Sequence, residues 1–95
     1  MQTTIQPKLQ KYVELTSKAL KKVKIFNNLD SKSKKSAEDF FDLAQRYFDD
    51  AKYFEKNGDL INAYGAVVYA HAFLDAGARL GFFDVGTDNE LFMVD

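Results

Sequence analysis

Residues 60–74 form the longest run of the chain without a charged side chain, and their apolar residues recur at helical spacing. This periodicity predicts a helix over residues 60–80, called here the third helix. One stripe of mostly apolar side chains comprises Leu60, Tyr64, Val67, His71, Leu74 and Ala78. A second stripe, on nearly the opposite side, comprises Ala66, Tyr69, Phe73 and Leu80. Because a helix that is apolar almost all round is buried on two sides, we expect the third helix to lie at the centre of the molecule.

Small residues of the third helix allow other backbones to approach closely: Ala63, Gly65, Ala66, Ala70, Ala72, Ala76 and Gly77. The signals at its ends are equally clear. Gly58 predicts the end of the preceding helix and Gly81 the end of the third, because glycine adopts the left-handed C-terminal conformation without a Cβ clash. Asp59 is placed to cap the third helix. The short connection at Gly58 predicts that the second and third helices are antiparallel neighbours.

Two further helices are predicted before the third, over residues 4–26 and 36–57. The stripe of the first helix comprises Ile5, Leu9, Tyr12, Thr16, Ala19, Val23 and Phe26. The stripe of the second comprises Ala37, Phe40, Ala44, Tyr47, Ala51 and Phe54, flanked by Phe41 and Phe48. Residues 31–36 are polar and are predicted to be a loop in which a serine caps the second helix.

The length of 95 residues fits one domain with one modest core. The three helices and their short connections predict an all-α fold, an up-and-down antiparallel three-helix bundle over residues 1–95. A turn-rich strap over residues 82–95 follows, and it ends in an apolar cluster over residues 90–95. We expect that either this strap or a second subunit covers the second stripe of the third helix.

The net charge of −1 conceals a division between the two parts of the chain. Residues 1–35 carry nine lysines and two acids, a net charge of +7, whereas residues 36–95 carry four cations and twelve acids, a net charge of −8. Mutual attraction of the two parts is the simplest interpretation. The alternative is that the lysines of the first helix bind nucleic-acid phosphates. The candidate basic face comprises Lys11, Lys18, Lys21 and Lys22.

Composition excludes several kinds of site. The chain has no cysteine and a single histidine, so it has no disulfide, no thiolate metal site and no multi-histidine metal site. Its glycines match no phosphate-binding template, and we predict no cofactor and no metal. The first residues lack the apolar segment of a signal peptide, and the run over residues 60–74 is too short to span a bilayer. We therefore expect a cytoplasmic protein without a membrane partner.

His71, Asp75 and Arg79 lie one turn apart on the third helix, where the carboxylate would orient the imidazole as in a general base. No serine or cysteine has the setting of a nucleophile, however, and His71 lies on an apolar stripe. We therefore interpret the three as a candidate polar site at the edge of the core and predict that the protein is not an enzyme. Tyr69 and Phe73 of the second stripe are candidate interaction residues. Tyr53 is another, because it projects from the polar side of the second helix.

Several short runs in the second half of the chain occur in a characteristic order: Ala51-Lys52-Tyr53-Phe54, Gly58-Asp59, Val68-Tyr69-Ala70-His71, Leu74-Asp75-Ala76 and Arg79-Leu80-Gly81. Together they resemble the core of a mainly archaeal family of small helical proteins, domain of unknown function 357. The resemblance covers roughly residues 36–95, and the first helix fits more loosely. It implies an up-and-down three-helix bundle and brings no established activity, ligand or catalytic residue. It also points to His71, Asp75 and Arg79 as positions worth testing.

These features favour a non-enzymatic interaction module that self-associates, as a dimer, through the third helix. The reason is that two partner helices cannot cover all of its apolar surface. The alternative is an accessory protein that binds nucleic acid through the lysine face of the first helix.

Overall fold

The computed structural model describes the backbone of residues 2–86 and the side chains of residues 5–86. Within this part of the chain there are three helices: α1 spans Gln2–Lys22, α2 spans Ser31–Lys56 and α3 spans Leu60–Arg79. Two short strands, β1 (Lys24–Ile25) and β2 (Phe83–Asp84), form an antiparallel pair. The all-α fold and the three-helix bundle are therefore confirmed. The end of the predicted strap, residues 87–95, lies outside the described residues.

The turn between α2 and α3 forms as the sequence predicts. Gly58 has a φ of 77°, and its N–H donates to the carbonyl of Glu55 at 3.1 Å. The N–H of Asp59 donates to the carbonyl of Phe54 at 2.9 Å, which completes a Schellman motif. The Asp59 carboxylate accepts the backbone N–H of Asn62 at 3.2 Å and so caps α3.

The predicted end of α1 is wrong, because the helix ends at Lys22 and not at Phe26. The following residues are extended instead, with Lys24 opposite Asp84 and Ile25 opposite Phe83. The N–H of Phe26 donates to the carbonyl of Phe82 at 3.1 Å and extends this contact. The β-branched residues at 23 and 25 suit an extended backbone. Only the fold, however, brings a partner strand from nearly 60 residues away.

The start of α2 also differs from the prediction. The helix begins at Ser31, so residues 31–36 are helical and not a loop. Its cap is Asp30 rather than a serine, and the Asp30 carboxylate accepts the backbone N–H of Ser33 at 2.7 Å. This hydrogen bond lowers the pKa of Asp30, because it favours the ionised carboxylate. The lysines and serines of this segment remain compatible with a helix because most of them face solvent.

Helix α3 is the centre of the bundle, as predicted, because α1 and α2 both pack against it and touch each other much less. The core has two parts. One, near the turn between α2 and α3, contains the buried residues Leu9, Val13, Ala51, Ala63, Ala66 and Val67. The other, near the strands, contains the buried residues Ala19, Ala37, Ala44, Leu74, Phe83 and Val85.

The contact between α2 and α3 depends on small residues at intervals of seven. The buried residues of α2 are Ala37, Ala44 and Ala51. The matching buried set in α3 is Ala63, Ala70 and Gly77. Because seven residues are almost two helical turns, each set forms one line along its helix. Such lines let two antiparallel helices approach closely.

The described part of the strap does not cover the second stripe of α3, contrary to one of the two predicted arrangements. Phe83 and Val85 turn into the core at the end of the bundle instead. The second stripe faces α2: Ala66 is buried, and the ring of Phe73 lies 5.9 Å from that of Tyr47. Tyr69 and Leu80, at the outer edge of this stripe, are each 61% exposed.

Candidate functional site

The side of α3 that neither neighbouring helix covers is apolar, and we call it the open face. Its exposed residues are Ile61, Gly65, Val68, Tyr69, Ala72 and Leu80. Ile61 is 70% exposed, which is high for a large aliphatic side chain. No charge interrupts the helix between Leu60 and Leu74. A continuous apolar surface of this kind typically marks an interaction site.

The centre of the open face is low and its edges are high. Gly65 and Ala72, seven residues apart, form its central line, and Ile61 and Val68 lie along one side. On the other side the ring of Tyr69 stacks on that of Tyr47 in α2, with centroids 5.4 Å apart. The relief therefore resembles a shallow trough that would accept a second helix.

A shallow groove borders the open face where α1 and α3 both begin. Ile5, Lys8, Ile61 and Tyr64 line it, so apolar side chains from two helices are continuous there. The ring of Tyr64 also meets that of Tyr12 edge-on, with centroids 5.6 Å apart. These contacts widen the apolar surface towards α1 and add one cation, Lys8, at its border.

Gly65 has no structural explanation within the described chain. A Cβ built at this position meets no atom within 4 Å, and the glycine φ lies in the ordinary negative range. Yet glycine inside a helix destabilises it by about 1 kcal/mol relative to alanine. The fold of one copy does not require this destabilising choice, whereas the close approach of another backbone would.

A polar pair lies on the α1 side of α3. The hydroxyl oxygen of Thr16, which is fully buried, lies 3.0 Å from Nδ1 of His71. On the other side of the ring, Nε2 of His71 lies 3.7 Å from an oxygen of Asp75. The ring of Tyr12 meets the imidazole edge-on. This arrangement satisfies a polar group between the two apolar parts of the core, and it holds the imidazole in one orientation.

The predicted site residues are not brought together in one place. His71 and Asp75 adjoin each other and face α1, whereas Arg79 is exposed at the last residue of α3. Tyr69 and Phe73 line the α2 side. Tyr53 is 65% exposed on α2, two residues after the buried Ala51. Two helical residues are about 200° apart, so Tyr53 points away from the bundle.

The four lysines of the candidate basic face, Lys11, Lys18, Lys21 and Lys22, are all exposed. The acids of α2 that we expected to face them have partners in their own helix. Asp42 pairs with Arg46 at 2.9 Å, and Asp49 accepts a hydrogen bond from Gln45 at 3.1 Å. These local partners arise because residues four apart on a helix are neighbours.

Two searches of the described residues found nothing. No group of three or more histidine, cysteine or acidic side chains in this part of the chain is arranged to hold a metal ion. None of its helices combines the length and the apolar character needed to cross a membrane.

The sequence interpretation missed two features of this region. Thr16 was assigned to the core of the first helix without its partner His71. The signal was one polar residue on an otherwise apolar stripe of α1 and one histidine on a stripe of α3. Gly65 was grouped with the other small residues, and only the structure separates it from those that the fold buries.

Comparison with known proteins places the chain in a family. The sequence model of the family described as "Protein of unknown function (DUF357)" matches residues 11–83. This is most of the chain, so the protein belongs to that family and the resemblance is confirmed. The match spans from α1 to β2 and includes the polar pair and the open face. No curated protein and no solved structure matches the chain.

Proposed function

We propose that this member of the family is a non-enzymatic interaction module that acts in the cytoplasm and forms a dimer through the open face of α3. The observation that carries the proposal is the exposure of large apolar side chains along a helix side without charges. Ile61 and Tyr69 remain 70% and 61% exposed although α3 is the central helix. Burial of such surface is the dominant favourable contribution to most protein association.

The size of the face indicates the strength of association. Full burial of a large apolar side chain contributes about 1.5–3 kcal/mol, and the side chains of the open face are already partly covered. Association itself costs at least about 4 kcal/mol in lost freedom. Helix α3 is about 30 Å long, so the contact is smaller than a standard interface of about 800 Å² per partner. We therefore expect a dissociation constant in the micromolar range or weaker.

The polar pair supports the non-enzymatic part of the proposal. The hydroxyl next to His71 belongs to Thr16, which is fully buried and therefore cannot reach a substrate as a nucleophile. His71 and Asp75 are themselves mostly covered by the bundle. A histidine held between a buried hydroxyl and a carboxylate fulfils a structural role, because its polar atoms need partners.

The test is sedimentation equilibrium over about 1 µM to 1 mM protein, which covers the expected range of affinity. The wild-type chain should shift from monomer to dimer within it. Tyr69→Glu should weaken association at least about tenfold, because it buries a charge at the contact. The matched control is Tyr53→Glu, since Tyr53 is the same residue type with 65% exposure. A wild-type monomer throughout, or equal effects of the two variants, would contradict the proposal.

The second candidate function is nucleic-acid binding, which the exposure of the four lysines on one helix favours. Further lysines at positions 24, 32, 34 and 35 lie at the same end of the molecule as the C-terminal end of α1. Binding to a phosphate backbone would weaken steeply with salt. Fluorescence anisotropy with single- and double-stranded oligonucleotides at low and moderate salt tests it. An absence of binding at low salt would end this candidate.

A further inference from the structure

We propose that the two copies meet as antiparallel helices, with the central line of one open face packed against the same line of the other. This inference rests on the proposed function and adds the orientation and register of the contact. The two-fold axis would then pass near Val68 and Tyr69, midway between Gly65 and Ala72. Gly65 of each copy would lie opposite Ala72 of the other.

The chain already contains a contact of this kind. Helices α2 and α3 are antiparallel and meet through buried alanines and one glycine at intervals of seven. The open face repeats this spacing, with Gly65 and Ala72 seven residues apart. The buried line at 63, 70 and 77 and the exposed line at 65 and 72 lie on opposite sides of one helix. Helix α3 therefore presents the same packing device twice, once towards α2 and once outwards.

Charge favours the antiparallel orientation over the parallel one. Asp59 and Arg79 lie ten residues to either side of Tyr69, at the two ends of the charge-free stretch. Antiparallel copies place Asp59 of each chain beside Arg79 of the other, whereas parallel copies place like charges together. The helix dipoles act in the same direction, because antiparallel helices pair opposite partial charges.

The glycine explains the closeness of the contact. With no Cβ at position 65, the backbone of a partner helix can approach the centre of the face, and the methyl group of Ala72 fills the space opposite. The larger residues Ile61 and Val68 then contact the partner beside this line. Gly65 is thus placed where the interface needs space, although its own fold has no use for it.

Cysteine cross-linking tests the orientation, and the chain is well suited to it because it contains no cysteine. In the antiparallel register, residue 61 of one copy lies near residue 76 of the other. The two copies of residue 61 are about 22 Å apart along the axis, far beyond the reach of a disulfide. We expect Ile61→Cys protein to form no disulfide dimer with itself. Mixed with Ala76→Cys protein under mild oxidation, it should form the mixed dimer. Non-reducing gels with a size-tagged variant distinguish the products.

The outcomes separate this inference from the proposed function. A dimer by sedimentation with the mixed 61–76 product supports the antiparallel contact. A dimer with the 61–61 product and no mixed product overturns the orientation and leaves the proposed function intact. A monomer at all concentrations overturns both.

A second variant tests the role of Gly65 without a new charge. Gly65→Ala adds one methyl group at the centre of the face and should weaken dimerisation at least about tenfold. Ala63→Gly is not a suitable control, because Ala63 is buried. Asn62→Ala is suitable, because Asn62 is exposed at the edge of the same helix turn. Unchanged dimerisation in Gly65→Ala would contradict the close central contact.

Discussion

Gly65 and Gly77 are the two glycines inside α3, and they differ in what surrounds them. A Cβ at position 77 would lie 2.2 Å from a ring atom of Phe83, so a larger residue cannot fit there without movement. A Cβ at position 65 would meet nothing within 4 Å. Gly77 is required by the chain's own strand β2, and Gly65 by no described atom of the chain. The comparison separates the side of α3 that the fold completes from the side that it leaves open.

The largest effect is expected where the fold completes the helix. Phe83 is the largest fully buried side chain of the described residues, and it lies directly on Gly77. Phe83→Ala should lower the free energy of unfolding by about 3–5 kcal/mol, because it leaves a cavity in the core. Urea unfolding followed by circular dichroism measures it. Phe26→Ala is the matched control, since Phe26 adjoins the same strands but is exposed. Equal losses in both variants would contradict this account of Phe83.

Gly77→Ala is expected to have the next largest effect. Its Cβ would overlap the ring of Phe83, and such overpacking destabilises by about 1–3 kcal/mol. The same urea experiment measures the loss. The double variant Gly77→Ala with Phe83→Leu should recover part of the deficit relative to the sum of the single changes, because the smaller side chain makes room. Additive losses would show that the two residues do not compete for this space.

The third prediction concerns the boundary between the buried and open sides, where Thr16 meets His71. Thr16→Val should destabilise by about 1 kcal/mol, because valine keeps the shape but removes the hydrogen-bonding hydroxyl. A double-mutant cycle with His71→Phe should give a coupling energy above about 0.5 kcal/mol, since the two residues are in contact. A coupling energy near zero would mean that this hydrogen bond contributes nothing to stability.

The smallest predicted effect on stability has the opposite sign. Gly65→Ala should raise the free energy of unfolding of the monomer by about 0.5–1 kcal/mol, because alanine favours the helix and no atom obstructs its Cβ. The measurement is urea unfolding at a concentration where the monomer predominates. Destabilisation of the monomer would reveal an intrachain contact at this position. A stabilised monomer that dimerises less would sharpen the contrast with Gly77.

Much of the hairpin formed by α2 and α3 follows from local sequence signals. Gly58 and Asp59 end one helix and cap the next, as their backbone preference and side-chain chemistry predict. Gly81 ends α3 in the same way, with a φ of 80° and a hydrogen bond from the N–H of Phe82 to the carbonyl of Gly77 at 2.9 Å. These signals act over a few residues, so they are visible without the fold.

Features that depend on distant residues were not predictable from the same patterns. Val23 and Phe26 continue the apolar rhythm of α1, yet the helix ends at Lys22 because β2 supplies a strand partner. The polar segment over residues 31–36 looked like a loop, but Asp30 caps it as the first turns of α2. In the first case a long-range contact overrode the pattern, and in the second an aspartate one residue earlier was the effective cap.

By itself the sequence determined the type, number and order of the helices and the central place of α3. These follow from the helical period of apolar residues and from caps that act locally. Tertiary structure alone decided which side of α3 stays open, which of its two inner glycines is enclosed, and that Thr16 meets His71. Each of these depends on where α1, α2 and β2 come to lie. That placement arises from packing between residues far apart in the chain, which a local period does not encode.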